Sequence, residues 1–146
     1  MPSWAEFEAA EPAFAARVRR LMEARKHLTM ATLRRDGSPR ISGTEVQFAG
    51  DQLRIGSMPN AVKARDLLRD GRVAIHGPTT DPPDEDPNVW VGEAKIAGRA
   101  LALESADGSH SFAIEIDEAV VTSLERNRLV VESWNPRRGY ERFERD

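Results

Sequence analysis

The sequence contains no cysteine among its 146 residues. This absence excludes disulfides, thiolate metal ligands and a cysteine nucleophile, and it fits a reducing compartment, in which structural disulfides are rare. The sequence also has no apolar run long enough to span a membrane. Its acidic N-terminus does not have the basic and apolar segments of a signal peptide. We therefore expect a cytoplasmic protein that does not associate with membranes.

An excess of charge of one sign is also missing. Lysine and arginine number 21 and aspartate and glutamate 24, which gives a net charge of −3 with both signs interspersed. Nucleic-acid-binding proteins usually carry a basic stripe, so we expect no nucleic-acid partner. Apolar residues make up 40% of the chain, which at this length predicts a single globular domain over residues 1–146.

Two short helices are predicted before the first strand, over about residues 4–26. Ser3 and Glu6 have the spacing of a capping box, and Pro12 suits the first turn of a second helix. Four apolar residues then fall on one face of this second helix, namely Phe14, Val18, Leu21 and Met22. That face is expected to pack on a core.

From about residue 27 the pattern changes to strands. The dipeptide Asp36-Gly37 predicts a tight hairpin turn, and Gly92 or Gly98 is expected to mark a bulge in one long strand. Six to seven strands with short turns, an N-terminal helix and a short helix between strands predict an α+β protein. Its core would be an antiparallel barrel over about residues 27–146. The proline-rich acidic segment 78–87 predicts an exposed loop.

The short helix between strands is predicted from about Ala61 to Asp70, with Asn60 as its cap and Gly71 as the residue that ends it. Its buried face is expected to contain Ala61, Ala64, Leu67 and Leu68. Lys63 falls off this face and in the first turn, where the helix dipole disfavours a cation.

Two interpretations of Lys63 remain open. The lysine is either solvated and paired with Asp66 or Asp70, or it binds an anion such as phosphate together with Ser57 and the free amides of the first turn. The second interpretation gives the cation a reason to occupy the positive end of a helix.

Other chemistry is hard to assign from the residues. His27, His76 and His110 lie far apart without the spacing of metal ligands, so we expect no metal site. A hydrogen-bonded structural role is favoured for His76, which lies on a strand. The sequence shows no nucleophile elbow, GxGxxG motif or Walker motif, and it identifies no catalytic residue.

The order of several motifs resembles the pyridoxamine 5′-phosphate oxidase-like family of flavin-binding split β-barrels. These motifs are "ATLRRDGSPRIS", "LRIGS", "VKARDLLRDGRVAIH" and a strand that ends in tryptophan with "RF" shortly after, and they extend over about His27 to Phe143. The resemblance implies a homodimer with flavin mononucleotide (FMN) bound between the subunits. It also implies an oxidoreductase in which a flavin-type cofactor exchanges a hydride with a small molecule.

The same resemblance assigns eight residues to the cofactor site: Ser42, Gly43, Thr44, Ser57, Lys63, Glu93, Trp134 and Arg142. Lys63 and Ser57 correspond to the phosphate contacts, and the strand 42–44 to the backbone beside the flavin ring. Glu93 corresponds to a polar contact with the ring, and the last two residues to groups that the partner subunit lends. The chain departs from the family at Val62 and Gln47, where cations are frequent.

Alternatives to this function follow from the same fold. A sister branch, with a helix that ends in a similar charged run, binds a deazaflavin coenzyme that also carries a phosphate and a tricyclic ring. A protein from another class would bind flavin, deazaflavin or haem without catalysis, with His76 as the candidate haem ligand. A dimeric structural protein with an empty pocket is the third alternative, and an absorption spectrum distinguishes these cases.

Overall fold

The computed structural model describes residues 2–146, and Met1 lies outside the described part. These residues form three α-helices, nine strands and one short 3₁₀ helix at Pro87–Val89. The helices are α1 (Trp4–Ala10), α2 (Pro12–Met22) and α3 (Val62–Arg69). The strands are β1 (Leu28–Leu33), β2 (Pro39–Thr44), β3 (Val46–Ala49), β4 (Gln52–Ser57), β5 (Arg72–His76), β6 (Glu93–Leu103), β7 (His110–Glu125), β8 (Arg128–Asn135) and β9 (Gly139–Arg145).

All nine strands belong to one antiparallel sheet. The order along the sheet is β2-β1-β5-β6-β7-β4-β3, and β8 pairs with both β7 and β9. The sheet is curled, because β2 also lies against β4, but no ladder joins the ends of the described sheet. The predicted α+β split barrel is therefore confirmed.

The sheet has two strands more than the sequence predicted. The segment "PRISGTEVQF" is divided at Glu45, because β2 pairs with β1 whereas β3 pairs with β4. The other addition is β9, which follows the last of the predicted strands and pairs with β8. The irregularity predicted in this long strand is found at Gly98, where the register with β7 shifts, but the extra residue of the bulge is Asp117 on β7. A Cβ atom at Gly98 would lie 1.8 Å from the Glu115 carbonyl oxygen, so only glycine fits this close approach.

The N-terminal helices cover part of the barrel core. The Ser3 side chain caps α1 by accepting the Glu6 N–H at 3.2 Å, and Pro12 begins α2 as predicted. The helix ends at Met22, before the boundary near residue 26 that the sequence predicted. Its apolar face is buried, as expected. No helix within residues 2–146 is long and apolar enough to cross a membrane.

The structure corrects three details of α3. The N-cap is Ala61, whose side chain accepts no hydrogen bond, and Asn60 precedes it with a φ of 63°. The C-cap is Asp70, and Gly71 is needed for space, since a Cβ there would lie 2.9 Å from the Ala100 carbonyl oxygen. Leu68, predicted to be buried, is 56% exposed.

In place of Leu68, α3 buries Asp66, which is only 2% exposed. Its carboxylate accepts hydrogen bonds from Thr32 Oγ1 at 2.7 Å, Arg40 Nε at 2.7 Å and Arg69 Nη2 at 2.8 Å. Burial acts to raise the pKa of Asp66, but the bonds from Arg40, Thr32 and Arg69 together outweigh it and hold the pKa below its ordinary value of 3.8. Asp66 thereby ties α3 to β1 and β2.

We expect Asp66→Asn to lower the free energy of unfolding by about 3 kcal/mol. This value is the lower end of the range for a broken buried ion pair, and we choose it because both arginines keep contact with water. The contribution of Asp66 is present above pH 3.8 and is lost as the pH falls through the lower folded-state pKa. Urea unfolding should therefore show a smaller difference between the wild type and the variant in acid than at pH 7.

Asp70→Asn is the matched control, because Asp70 binds Arg72 at the protein surface. It should change stability much less than Asp66→Asn. Equal losses for the two variants would contradict the special role of the buried carboxylate.

Candidate functional site

Lys63 lies in the first turn of α3, and its ammonium group reaches across to β2. Nζ donates a hydrogen bond to the Gly43 carbonyl oxygen at 2.7 Å. Within residues 2–146, neither Asp66 nor Asp70 pairs with Lys63, because arginines bind both carboxylates. The interpretation of Lys63 as a member of a surface ion pair is therefore wrong. An ammonium group has three donors, so this contact leaves two for a further acceptor.

Ser57 ends β4, just before the turn that leads into α3. Its Oγ is buried and has no hydrogen-bond partner among the described residues. A buried hydroxyl in this state costs about 1–3 kcal/mol. An oxyanion such as phosphate would supply the missing partner, so the chemistry of Ser57 fits the group that the sequence assigned to it.

The predicted contact strand 42–44 alternates between two faces of the sheet. Ser42 lies opposite Met30, which is in the core, and Thr44 is itself 5% exposed. Gly43 lies between them with an exposed backbone, and nothing lies within 4 Å of the position that a Cβ would take. The backbone of Gly43 is therefore the part of this strand that a flat ligand can approach.

Gly43 begins a row of residues that lie side by side on four strands. Thr29 on β1 is opposite Gly43, His76 on β5 is opposite Thr29, and Lys95 on β6 is opposite His76. We call these four residues the outer row. The neighbouring row faces the core through Met30, Ile75 and Ile96, and side chains alternate along a strand. The outer row therefore lies on the opposite, outer face of the sheet.

Two titratable side chains meet on this face. The Nε2 atom of His76 lies 3.9 Å from Oε2 of Glu93, and Nδ1 lies 2.8 Å from the Gly77 carbonyl oxygen. His76 and Thr29 line a pocket of about 500 Å³. The sequence showed a strand histidine and a candidate ring contact, but it did not show that they are neighbours. Only the register of β5 against β6 brings them together.

Trp134 and Arg142 each have neighbours within their own chain. Trp134 is 4% exposed and packs against Phe7 with 4.7 Å between ring centroids, so its ring belongs to the core of its own chain. Arg142 lies on β9 and binds Glu125 and Glu144. The hydrogen bond to Glu144 raises the pKa of Arg142. The structure does not bring these two side chains to the outer row within the described chain.

A second pocket, of about 630 Å³, lies between the end of α2 and strands β3 and β4. It is lined by Lys26, Glu45 and Gln47, among other residues. As far as residues 2–146 define them, neither this pocket nor the one beside His76 is lined by any of the eight predicted site residues. Pocket size alone therefore does not identify the cofactor site.

The fold and these contacts define a class: split-barrel proteins with a cation in the first turn of the helix between strands and an unpaired hydroxyl at the end of the strand before that helix. A family model described as pyridoxamine 5′-phosphate oxidase matches residues 14–136. This match covers most of the chain, and the protein belongs to that family. No curated protein matches the sequence.

Solved structures share the fold at low sequence identity. A pyridoxamine 5′-phosphate oxidase-related, FMN-binding protein from Nostoc punctiforme PCC 73102 is similar with a TM-score of 0.65 and 12% identity, over 93% of this chain and 96% of that one. PhzG from Burkholderia lata 383 gives a TM-score of 0.63 and 13% identity, over 91% and 86% of the two chains. HutZ, the heme storage protein from Vibrio cholerae, gives 0.55 and 14%, over 73% and 89%.

The burial of Trp134 gives a prediction about stability. Trp134→Ala should lower the free energy of unfolding by about 3–5 kcal/mol, as expected for removal of a large core aromatic. Trp90→Ala is the control, because Trp90 is partly exposed and its Nε1 donates to the Thr80 carbonyl oxygen. Urea unfolding should show a clearly smaller loss for Trp90. A Trp134 variant of unchanged stability would show instead that this ring serves a ligand or a partner.

Proposed function

We propose that this protein is a flavin-binding oxidoreductase, related to pyridoxamine 5′-phosphate oxidase, that holds FMN along the outer row and acts on a small, flat or conjugated molecule. The observation that carries the proposal is the Lys63 ammonium group held at the exposed backbone of Gly43. The unpaired Ser57 hydroxyl supports it. FMN-binding by the Nostoc relative supports it further.

Four residues would each make one contact with the cofactor. Lys63 would bind the phosphate with its two remaining donors, and the Ser57 hydroxyl would donate a hydrogen bond to a phosphate oxygen. The bare backbone of Gly43 would let a ring approach β2, and Glu93 would contact the polar edge of the ring. The bound cofactor supplies hydride transfer, and the protein supplies binding, orientation and exclusion of water.

We also propose that the protein is a homodimer that buries the outer face of the sheet between its protomers. Beside the outer row lies an apolar row that consists of Ile41, Ala31, Ala74 and Ala97 on the same four strands. Ile41 is 75% exposed. An exposed apolar row of this kind typically marks an interface, and twofold dimers are the commonest oligomers.

The phosphate contact is tested by Lys63→Ala. Loss of one charge-assisted hydrogen bond, worth about 1.5–3 kcal/mol, should weaken FMN affinity about ten- to hundred-fold. The affinity for riboflavin, which has the ring and no phosphate, should stay the same. Fluorescence titration with FMN, riboflavin and the deazaflavin coenzyme measures all three affinities. Separately, the absorption spectrum of freshly purified protein shows whether it carries flavin, deazaflavin or haem.

Lys26→Ala is the matched control, since Lys26 is a 75% exposed lysine that lies near Glu45. It should leave all three affinities unchanged. Equal losses for FMN and riboflavin in Lys63→Ala would show that Lys63 acts on the ring pocket or on the fold, and the phosphate assignment would be withdrawn.

The proposed dimer is tested by Ile41→Glu. The wild type should have twice the chain mass in light scattering, with a buried area above about 1,000 Å² in total. Ile41→Glu should dissociate it, because a carboxylate would be buried without a partner. Leu68→Glu, at an exposed apolar position on α3, should stay dimeric. A monomeric wild type at micromolar concentration would overturn both the dimer and a site shared between subunits.

A further inference from the structure

We propose that His76 is a proton donor of this site, and that its substrates are acceptors that take a hydride and a proton at different atoms, such as quinones and conjugated carbonyl compounds. The inference rests on the proposed function, which supplies the hydride. It gives a role in proton transfer to His76, which the sequence analysis considered only as a structural residue or a haem ligand.

The surroundings of Nδ1 fix which nitrogen of His76 can exchange a proton. Nδ1 lies 2.8 Å from the Gly77 carbonyl oxygen. A carbonyl oxygen only accepts hydrogen bonds, so Nδ1 carries a proton in both the neutral and the charged ring. Gain and loss of a proton therefore take place at Nε2.

Nε2 has the access that a proton donor requires. The imidazole side chain is 35% exposed and lines the pocket of about 500 Å³. The nearest carboxylate oxygen, Oε2 of Glu93, lies 3.9 Å away, which is beyond hydrogen-bond distance. Nε2 has no hydrogen-bond partner among the described residues and is not one of their buried unpaired atoms, so it is open to solvent. Glu93 is a positioning residue whose carboxylate attracts the charged ring. The other charged or titratable groups nearby are Lys95, which is opposite His76, and Arg25 and His27 at the pocket.

The position of His76 in the sheet separates proton transfer from anion binding. Adjacent strands are about 4.8 Å apart, so His76 lies about 10 Å along the outer row from Gly43. Gly43 is where Lys63 holds the proposed phosphate contact. His76 lies beside Glu93, the proposed ring contact, and hence toward the end of the row where the substrate would react.

The chemical step balances with the groups named. The acceptor gains a hydride from the reduced flavin at one atom and the Nε2 proton of His76 at another. The Nε2–H bond breaks, and an O–H or C–H bond forms on the acceptor. The neutral imidazole then regains a proton from solvent through the open pocket.

The first test uses the protein without cofactor. In ¹⁵N NMR of histidine-labelled protein, His76 should keep its proton on Nδ1 across the whole titration, and only Nε2 should change from protonated to unprotonated. His76→Asn, which keeps an amide donor for the Gly77 carbonyl oxygen, assigns the resonances. A neutral ring protonated at Nε2 would overturn the proposal.

The second test uses FMN-loaded protein, reduced with one equivalent of dithionite and mixed with an oxidant in stopped flow. Menadione is a quinone that takes a hydride and a proton, whereas ferricyanide takes only electrons. His76→Asn should slow the reaction with menadione about 100-fold, the lower end of what a positioned acid contributes, and leave the ferricyanide rate unchanged.

His27→Asn is the matched control, because His27 is 83% exposed at the rim of the same pocket. It should leave both rates unchanged. Equal slowing of both oxidants by His76→Asn, or no slowing of either, would overturn the proton-donor role while FMN binding by the wild type stands. Failure of the wild type to bind FMN would overturn the proposed function and this inference together.

Discussion

The buried carboxylate of Asp66 is the interaction on which the geometry of the candidate site depends. It joins α3 to β1 through Thr32 and to β2 through Arg40. The cap residue Ala61 offers no side-chain hydrogen bond, and the contact near the helix N-terminus, from Lys63 to the Gly43 carbonyl oxygen, is exposed. Because Asp66 fixes α3 against β2 one turn after Lys63, it also fixes the distance that the lysine must span to reach Gly43.

The electrostatics of this anchor explain why a cation can remain at the start of α3. A lone buried carboxylate would be protonated, but the two arginines keep Asp66 ionised. The two arginines therefore neutralise the charge of Asp66 within the contact between α3 and the sheet, and Asp66 does not neutralise Lys63. The first turn of α3 also contains no acidic residue. Among residues 2–146, no carboxylate pairs with Lys63, and its charge lies beside an exposed backbone. This arrangement is costly for the free protein and favourable for an anion.

Local patterns predicted those parts of the fold that local physics determines. The apolar spacing of α2, the turn at Asp36-Gly37 and the bulge at Gly98 follow from side-chain periodicity and from the conformations that glycine allows. Leu68 was misplaced because hydrophobicity ranks leucine above aspartate for burial. That ranking reverses here because arginines from β2 and from the next helical turn neutralise the carboxylate of Asp66. The sequence of α3 alone does not show that an arginine of β2 lies beside Asp66.

The candidate site shows the same division between local and distant information. Ser57 and Lys63 are close along the chain, so the sequence could propose them together before any strand pairing was known, whereas Gly43 lies on β2 and meets Lys63 only through the fold. His76 and Glu93 belong to different strands and meet only through the register of β5 against β6. A register shift of one residue would turn one of these side chains to the core. The proton-transfer pair is therefore a property of the assembled sheet, and the anion contact also depends on the fold, because α3 must lie against β2 before Lys63 can reach Gly43.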